Sequence, residues 1–392
     1  MFQVVVAHSD DIDTEDAVEE ILEACDAQLK GIEPAAGVVF CGTEYEHETV
    51  LKLISQRFPG LQLIGCTTDG EMSSSGGYTE DAIVLTLYCS DTIQIYAGVG
   101  QGAGSDPERA TRDAVQMATA GLDGAPKLAL VLPDGLSSNA FDVLDGFTNA
   151  LGPDVPVVGG MTADRVGGSK NTYSTYQFYG DRVLSDAVST LIFSGPLVYS
   201  LGVESGWSPI GEKMTVTKSD NNVLFELNGR PAFDLYAHYL GDVMRENLAG
   251  LGSYPLAVYE PGLERFYLRV ARAADPDNGE VTFLGEIPEG AQVQITQAIR
   301  DQVIDGVRLS AEKALQQYPG TSPGAAMTFS CTGRKNALGT KTREEIAGAG
   351  EVLGSSIPIT GFYTFGEIGP VSDHTRARYH NTTFVTLLMG EA

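Results

Sequence analysis

Three segments of this 392-residue chain share one pattern, in which a β-branched strand runs into a glycine and then into a polar turn that contains threonine. The segments are LIGCTTDGEM (63–72), VVGGMTADRV (157–166) and ITGFYTFGEI (359–368). Each is preceded by an apolar strand and by a stretch with apolar residues at helical spacing. Repeats of this length are supersecondary units that bury their apolar faces against one another. We therefore expect the chain to fold around three related units.

The order of elements within each repeat indicates the fold class. Strand, helix, strand, helix and strand are followed by an antiparallel return strand, which predicts an α/β fold with three repeated βαβαβ-type units and mixed sheets. The upstream strands are expected at 37–43, 128–135 and 326–334, and the return strands at 81–88, 186–193 and 382–389. The helices that lead into the units are expected at Thr14–Leu29, Pro107–Ala120 and Arg300–Tyr318. If this interpretation is correct, the segments that begin at Gly37, Leu128 and Ala326 superpose.

The third repeat is interrupted by an insertion. The glycine turns at Gly159 and Gly361 lie about 108 residues further apart than those at Gly65 and Gly159. The additional residues, at roughly 204–290, have the pattern of strands with a helix and predict an α+β insertion. We therefore expect two domains, residues 1–203 with the first two repeats and residues 204–392 with the insertion and the third repeat.

The charge of the chain restricts its partners. Acidic residues outnumber basic ones by 52 to 25, and the formal net charge is −27 at pH 7. Nucleic acids and anionic membrane surfaces bind proteins through cationic contacts, so neither partner is expected. The sequence shows no signal-like start and no apolar run of spanning length, and its five cysteines are scattered and odd in number. We expect a cytoplasmic protein without a disulfide framework.

Polar residues that could bind a ligand are concentrated in two loops of the third unit, 330–334 and 361–367. Arg334 offers a bidentate donor for a carboxylate, and Glu367 offers an acceptor for an amine. We expect Arg334 to point into a cleft between these loops, with aromatic side chains as its walls and glycine amides as further donors. The predicted ligand-binding residues are Cys331, Gly333, Arg334, Gly361, Phe362, Tyr363, Thr364, Gly366 and Glu367.

A structural role is the alternative for the same residues. Glycines make tight turns, aromatic rings fill cores, and Arg334 could pair with Glu367 as a structural ion pair. Glu71 has the place of Glu367 in the first unit, whereas Asp164 and Arg165 stand there in the second. The carboxylate thus partly follows the repeat, which favours a structural role for it, while Arg334 has no counterpart in the first two units.

Catalytic signatures are weak. The five histidines (His8, His47, His238, His374 and His380) do not have metal-ligand spacing, and the chain has no G-x-S-x-G motif. An enzyme that acts through Cys331 is the least favoured alternative function, because no histidine lies near Cys331 in sequence to act as a base. We therefore expect no enzymatic activity, no metal and no cofactor.

The same segments carry a resemblance to a known family. The run FSCTGRKNALG … GFYTFGEIGP … HNTTFVTLL resembles the FIST C-terminal domain, and LIGCTTDGE with VPVVGGMTAD resembles the FIST N-terminal domain. The segment NVLFELNGRPAFDLYAHYLG resembles the middle portion of that family. The resemblance covers nearly the entire chain.

The resemblance implies a sensory module that binds a small ligand, proposed for the family to be an amino acid, and that signals through another protein. In this chain it implies a stand-alone sensor, because the repeats and the insertion leave no room for an output domain. Some FIST proteins bind haem and sense nitric oxide together with a histidine kinase. Haem is therefore the alternative ligand, with His238, His374 and His380 as candidate axial ligands, and a signalling protein such as a histidine kinase is the expected partner.

Overall fold

Helices and strands alternate along the chain in a computed structural model, which describes residues 2–166, 172–241, 243–263, 265–370 and 376–392. The α-helices of these described residues are α1 Thr14–Leu29, α2 His47–Arg57, α3 Pro107–Thr119, α4 Ala140–Leu151, α5 Phe233–Leu240, α6 Val243–Glu246, α7 Arg300–Gln317, α8 Thr332–Leu338 and α9 Arg343–Leu353. Short 3₁₀ helices lie at Leu248–Ser253 and Gly339–Lys341. The fold is α/β with mixed sheets, which confirms the predicted class.

Local sequence explains where these helices begin and which face they bury. The Asp13 side chain accepts hydrogen bonds from the backbone amides of Glu15 and Asp16 and so caps the start of α1. In α1 the buried residues recur at helical spacing, among them Ile21, Cys25 and Leu29. These helices cover the outer faces of the sheets, and the carboxylates of α1 remain on its solvent side.

Three six-stranded sheets contain the repeats. In spatial order, the first sheet comprises Phe2–Ser9, Ile83–Ser90, Ala36–Cys41, Gln62–Thr67, Gln177–Tyr179 and Arg182–Leu184. The second comprises Gln94–Gln101, Ala187–Ser194, Pro126–Pro133, Val157–Gly160, Glu367–Pro370 and Ala377–His380. The third comprises Leu197–Glu204, Phe384–Glu391, Ala325–Cys331, Ile359–Thr364, Glu71–Ser73 and Gly77–Thr79.

Each of these sheets is completed by a hairpin from another unit. We define unit 1 as residues 2–90, unit 2 as 94–194 and unit 3 as 197–204 with 300–391. Four strands of each sheet belong to one unit, and the last two strands are a hairpin of the next unit, so that unit 1 receives its hairpin from unit 2, unit 2 from unit 3 and unit 3 from unit 1. The two central strands contributed by each unit are parallel, and the remaining pairs are antiparallel. The same strand order thus recurs in a closed ring, while superposition of the repeats stays a prediction.

The insertion forms a fourth sheet. In spatial order its main strands are Tyr267–Arg269, Leu256–Tyr259, Gln292–Ala298, Met214–Asp220, Val223–Leu227, Glu280–Phe283 and Ala271–Asp275, and the short strands Trp207–Pro209 and Arg230–Pro231 pair at its side. This inserted sheet therefore spans residues 207–298, between strand Leu197–Glu204 and helix α7. The predicted division of the chain at 203/204 stays a prediction, and strand Leu197–Glu204 pairs with Phe384–Glu391 of unit 3.

An apolar core lies between the three repeat sheets. Phe40 of unit 1 and Phe362 of unit 3 are fully buried, and their ring centroids are 4.4 Å apart. Phe329 packs against Phe362 at 5.7 Å, and Leu130 of unit 2 belongs to the same cluster. Burial of this apolar surface is the main force that holds the three units together. Among the described residues, no helix has both the length and the apolar character needed to cross a membrane.

One polar side chain at the start of each exchanged hairpin anchors a return strand. Glu71 accepts a hydrogen bond from the amide of Ala82 at 3.1 Å, Gln177 from that of Ala187 at 3.1 Å, and Glu367 from that of Thr383 at 2.9 Å. Gln177, rather than Asp164 and Arg165, therefore has the place of Glu367 in unit 2. The sequence comparison was wrong at this position because unit 2 has a longer loop before its hairpin.

Helices pack onto the first strands of units 2 and 3 at very close range. A β-carbon added at Gly100 would overlap the carbonyl oxygen of Ala110 on α3, and one added at Gly202 would overlap that of Ser310 on α7. Backbone atoms cannot move aside as a flexible side chain can. Glycine at these positions therefore sets the distance between helix and sheet.

Substitution of Gly100 by alanine should lower the free energy of unfolding by about 1–3 kcal/mol, because overpacking forces the helix from the sheet. The matched control is Gly350→Ala on α9, where an added β-carbon meets no atom within 4 Å. That change should stabilise the protein by roughly 0.5–1 kcal/mol, the helix preference of alanine over glycine. Urea unfolding measures both. Equal effects of the two substitutions would contradict the close packing.

Candidate functional site

The two predicted loops of unit 3 meet in a buried network rather than in an open cleft. Arg334 is fully buried, and its guanidinium forms an ion pair with Glu345 of α9 at 2.7 Å. It also donates to the carbonyl of Val303 at 2.8 Å and to that of Ser205. Tyr363 donates its hydroxyl to the same Glu345 at 2.5 Å. The expectation that Arg334 faces a ligand is corrected, because its donors bind Glu345 and two backbone carbonyls.

The alternative prediction, a structural ion pair of Arg334 with Glu367, was wrong in the partner. Arg334 pairs with Glu345. A buried guanidinium needs a carboxylate close by, since an unpaired buried charge is costly. The sequence held one signal for this partner: Glu345 lies on the same helical face as the buried Ala349 and Leu353.

The remaining predicted residues support the fold around this network. Phe362 lies in the shared core, and a β-carbon at Gly361 would overlap Thr328. Thr364 donates its hydroxyl to the Met161 carbonyl at 2.5 Å and accepts from the amide of Gly366 at 3.1 Å. The structure therefore places Thr364 in the contact between units 2 and 3. A ligand-binding role for these residues stays a prediction.

Cys331 and Glu367 are buried side by side with Thr383. Burial raises the pKa of the Cys331 thiol well above its ordinary value, so the thiol is protonated and a poor nucleophile. Burial also raises the pKa of Glu367 to about 8, although hydrogen bonds from the amide and hydroxyl of Thr383 oppose this shift. Near neutral pH, Glu367 therefore carries much less than a full negative charge and is a poor partner for an ammonium group.

A cavity of about 260 Å³ lies one layer away from these residues, between unit 3 and the inserted sheet. Its wall includes Ser205, whose carbonyl accepts from Arg334, and Thr383, which donates to Glu367. We call this space the insert cavity. It is lined by Val203, Glu204, Ser205, Tyr259, Arg265, Phe266, Tyr267, Leu268, His380 and Thr383.

The insert cavity contains charges of both signs. Arg265 donates to Glu204 at 2.5 Å and to the Val203 carbonyl at 3.3 Å. Lys313 of α7 bonds to the same Glu204 oxygen. Since Glu204 has two cationic partners, it keeps one when Arg265 turns toward another acceptor.

Aromatic rings form the apolar part of the same wall. The rings of Tyr259 and Phe266 lie 5.4 Å apart, and the hydroxyl of Tyr267 bonds to Glu260. Arg378 binds both oxygens of Glu260, at 3.0 and 3.1 Å, and Glu260 does not line the cavity. The arrangement suits a small organic molecule with a charged end and a carbon skeleton.

His380 is the histidine of the insert cavity, and it is neutral. Its Nε2 donates to the Gly369 carbonyl at 2.9 Å. The pKa of His380 is lowered to about 4, mainly by burial and also by the positive charges of Arg269, Arg378 and Arg265, while the hydrogen bond to Gly369 opposes the shift. His380 is therefore unprotonated at pH 7.

The residues of the insert cavity do not fit a haem. The Nε2 atom of His380 is engaged with Gly369, and the cavity of about 260 Å³ falls below the ~300–1,000 Å³ usual for larger organic ligands. His238 lies on α5 with its ring against Tyr239 at 4.9 Å and does not line the cavity. His374 lies outside the described residues. Within the described ranges, no cluster of three or more histidine, cysteine or acidic side chains is suited to a metal ion.

Sequence reasoning missed the residues of the insert cavity that bear charge and aromatic surface. Arg265, Tyr267 and Arg269 alternate along RFYLRVARA (265–273), within the stretch that was predicted only as strands of the insertion. Three arginines within eight residues, in a chain with net charge −27, were the available signal. That Glu204 lies opposite them could not be read from local sequence, because the two segments are about sixty residues apart.

Fold and cavity together define an α/β protein in which a sheet inserted into one repeat lies against a small polar and aromatic space. Family models match FIST N domain over residues 35–230 and FIST C domain over residues 232–370. The chain belongs to the FIST family, whose domains are sensory domains.

Other proteins resemble the chain along most of its length. An uncharacterised protein of Mycobacterium tuberculosis is 28% identical, covering 88% of this chain and 89% of its own. A second, of Mycobacterium bovis, is 27% identical, with 91% of both chains covered. A solved cyanuric acid hydrolase from A. caulinodans covers 100% of this chain and 99% of its own, at 10% identity and a TM-score of 0.40.

Removal of Arg334 should primarily destabilise the protein. Arg334→Ala leaves Glu345 buried without its cation, and we expect a loss of about 3–5 kcal/mol in the free energy of unfolding. Joint replacement, Arg334→Met with Glu345→Leu, should recover most of this loss because no charge remains buried. Chemical denaturation measures both. A stable Arg334→Ala protein would show that the ion pair is not structural.

The raised pKa of Glu367 predicts a pH dependence of stability. The folded protein binds this proton more tightly than the unfolded chain, so the contribution of Glu367 is fully present below pH 4.5 and is lost as the pH rises toward 8. Glu367→Gln should abolish this loss, and unit 2 already has Gln177 at the equivalent position. Urea unfolding midpoints at pH 6.5 and 8.5 test this against the exposed control Glu312→Gln. A steeper decline in Glu367→Gln than in the wild type would contradict the assignment.

Proposed function

We propose that this protein is a cytoplasmic sensor that binds a small carboxylate, an amino acid or a related compound, in the insert cavity. It acts as a binding protein rather than as an enzyme, and it signals through a separate protein such as a histidine kinase. The single observation that carries the proposal is the insert cavity itself, which combines Arg265, Glu204 and three aromatic rings in a space of small-molecule size.

Arg265 is the donor for the ligand carboxylate. Its side chain is 39% exposed, so the guanidinium can turn into the cavity without breaking a packed core. Glu204 then keeps Lys313 as its partner and can accept from an ammonium group of the ligand. A charge-assisted, two-pronged bond compensates for the cost of removing a carboxylate from water. The rings of Tyr259 and Phe266 cover the carbon skeleton.

The Arg334 network links this cavity to the surface helices. Ser205 lines the cavity and accepts a hydrogen bond from Arg334, which also bonds to Val303 of α7 and to Glu345 of α9. A ligand that moves Ser205 therefore changes the position of Arg334 relative to both helices. A partner protein that contacts α7 or α9 would respond to ligand binding through this chain of contacts.

The net charge supports a partner with a basic surface. Opposite charges accelerate association at low ionic strength, and salt screens them over about 8 Å at physiological ionic strength. With a net charge of −27, the protein should bind such a partner more slowly as salt is added.

A thermal-shift screen of amino acids and small carboxylates tests the proposed function. A ligand at about 100 times its dissociation constant should add roughly 2.7 kcal/mol to the stability. Tyr259→Ala removes a cavity wall and should weaken binding by about tenfold, since loss of aromatic contact costs roughly 1–1.5 kcal/mol. Tyr173→Ala, at a tyrosine that is 47% exposed and outside the cavity, is the matched control.

The absorption spectrum of the purified protein is recorded before the screen. A Soret band in protein purified from haem-replete cells would favour the haem alternative over the carboxylate. A colourless protein that no carboxylate or amino acid stabilises would contradict the proposed function.

A further inference from the structure

We infer that the ligand of the insert cavity is an organic dianion, a compact dicarboxylate, rather than a neutral zwitterion. This inference rests on the proposed function and concerns the charge of the molecule bound at that site. It follows from the balance of charges around the cavity, which is opposite in sign to that of the protein as a whole.

The whole chain has 52 acidic and 25 basic residues, but the surroundings of the insert cavity are basic. Arg265 lines the cavity, and Arg269, Lys313 and Arg378 bond to residues of its wall or stack on them. Among the residues that the structure describes, the acids bonded to these four cations are Glu204 and Glu260. Four positive charges against two negative charges leave an excess of two. A ligand with two negative charges would neutralise it.

Arg269 is the strongest part of this excess because it is buried. Its side chain is 1% exposed, and its guanidinium has no carboxylate partner within the described ranges. It donates to the carbonyls of Leu268, Glu286 and Tyr379, and it stacks 4.2 Å above the ring of Tyr267. Carbonyl dipoles solvate a cation but do not cancel its charge. A buried charge without a counter-charge attracts an anion to the nearest accessible space.

Two spaces adjoin Arg269: the insert cavity, which Leu268 and Tyr267 line, and a second cavity, which Glu286 and Tyr379 line. The insert cavity is the one that Arg265 also lines. His380 shows that the positive potential reaches the cavity wall, because Arg269, Arg378 and Arg265 all disfavour protonation of this one ring. Three arginines therefore contribute positive potential at the cavity wall, and of these three Arg265 lines the cavity.

The wall also indicates that the dianion has a carbon skeleton. Tyr259, Phe266 and Leu268 present apolar surface that inorganic phosphate would leave uncovered. A dicarboxylate with a short methylene chain can place one carboxylate at Arg265 and keep its methylene groups against these side chains. The second carboxylate then lies in the potential of Arg269.

Calorimetric titration at constant ionic strength tests the inference with four probes. Succinate is the dianion, succinamate the monoanion of the same length, alanine the zwitterion and inorganic phosphate the dianion without carbon. We expect succinate to bind at least about tenfold more tightly than each of the other three, since each charge-assisted hydrogen bond contributes roughly that factor.

Two variants locate the effect. Arg265→Gln should weaken succinate binding by about tenfold or more. Lys313→Gln should weaken succinate more than succinamate, because it removes a positive charge but no side chain that lines the cavity. Arg230→Gln, which removes a positive charge from an exposed edge of the inserted sheet, should leave both affinities unchanged.

The outcomes separate the inference from the proposed function. Equal affinities for succinate and succinamate, or equal or tighter binding of alanine, would overturn the dianion while leaving a carboxylate sensor. Phosphate binding as tight as that of succinate would overturn the carbon skeleton. If none of the organic probes binds and the wider thermal-shift screen is also negative, both the dianion inference and the proposed function are overturned.

Discussion

Exchange of hairpins between units is the constraint on which the rest of this structure depends. Each repeat sheet has four strands of its own and two from another unit, and the exchanges close into a ring. A two-stranded hairpin is marginally stable alone, so it needs the edge of a neighbouring sheet to pair with. No unit can therefore complete its sheet by itself. The aromatic contact of Phe40 with Phe362 joins units 1 and 3, while the anchors at Glu71, Gln177 and Glu367 hold each exchanged hairpin to the return strand of its own unit.

The inserted sheet interrupts this ring at one place and so creates an asymmetric site. It leaves unit 3 after strand Leu197–Glu204 and returns at helix α7, which keeps its strands beside the hairpin strand Ala377–His380. Units 1 and 2 have no such addition. The cavity thus lies where a symmetric fold becomes asymmetric, and Arg334, which has no counterpart in the other units, ties the base of the insertion at Ser205 to two helices.

The sequence carried enough information for the fold class and for many of its elements. Apolar periodicity predicted the helix Thr14–Leu29 with the bounds that the structure has, because a periodic apolar face and a capping aspartate are local signals. Pairing of Glu71–Ser73 with unit 3 is a contact between segments almost three hundred residues apart, and no local pattern encodes it. The anchor of unit 2, Gln177, was also missed by local sequence comparison, because a longer loop separates it from the glycine turn.

The candidate site was harder to predict than the fold. Residue type drew attention to Arg334 and Glu367, yet burial decides what such groups do, and burial depends on tertiary packing. Arg334 forms an ion pair with Glu345, and Glu367 is a largely protonated anchor of a return strand. Arg265 and Glu204 became neighbours only through the path of the insertion. Arg265 and Glu204 have the chemistry that we expected of Arg334 and Glu367, but they lie one layer closer to solvent.

The space between unit 3 and the inserted sheet is the proposed ligand site, and a crystal structure of the protein grown with succinate would locate the ligand. We expect one succinate molecule in the insert cavity, with a carboxylate bonded to Arg265 and its methylene groups against Phe266, while the Arg334–Glu345 ion pair stays closed. Succinate bound between loops 330–334 and 361–367, with that ion pair opened, would show that the ligand site is not the insert cavity.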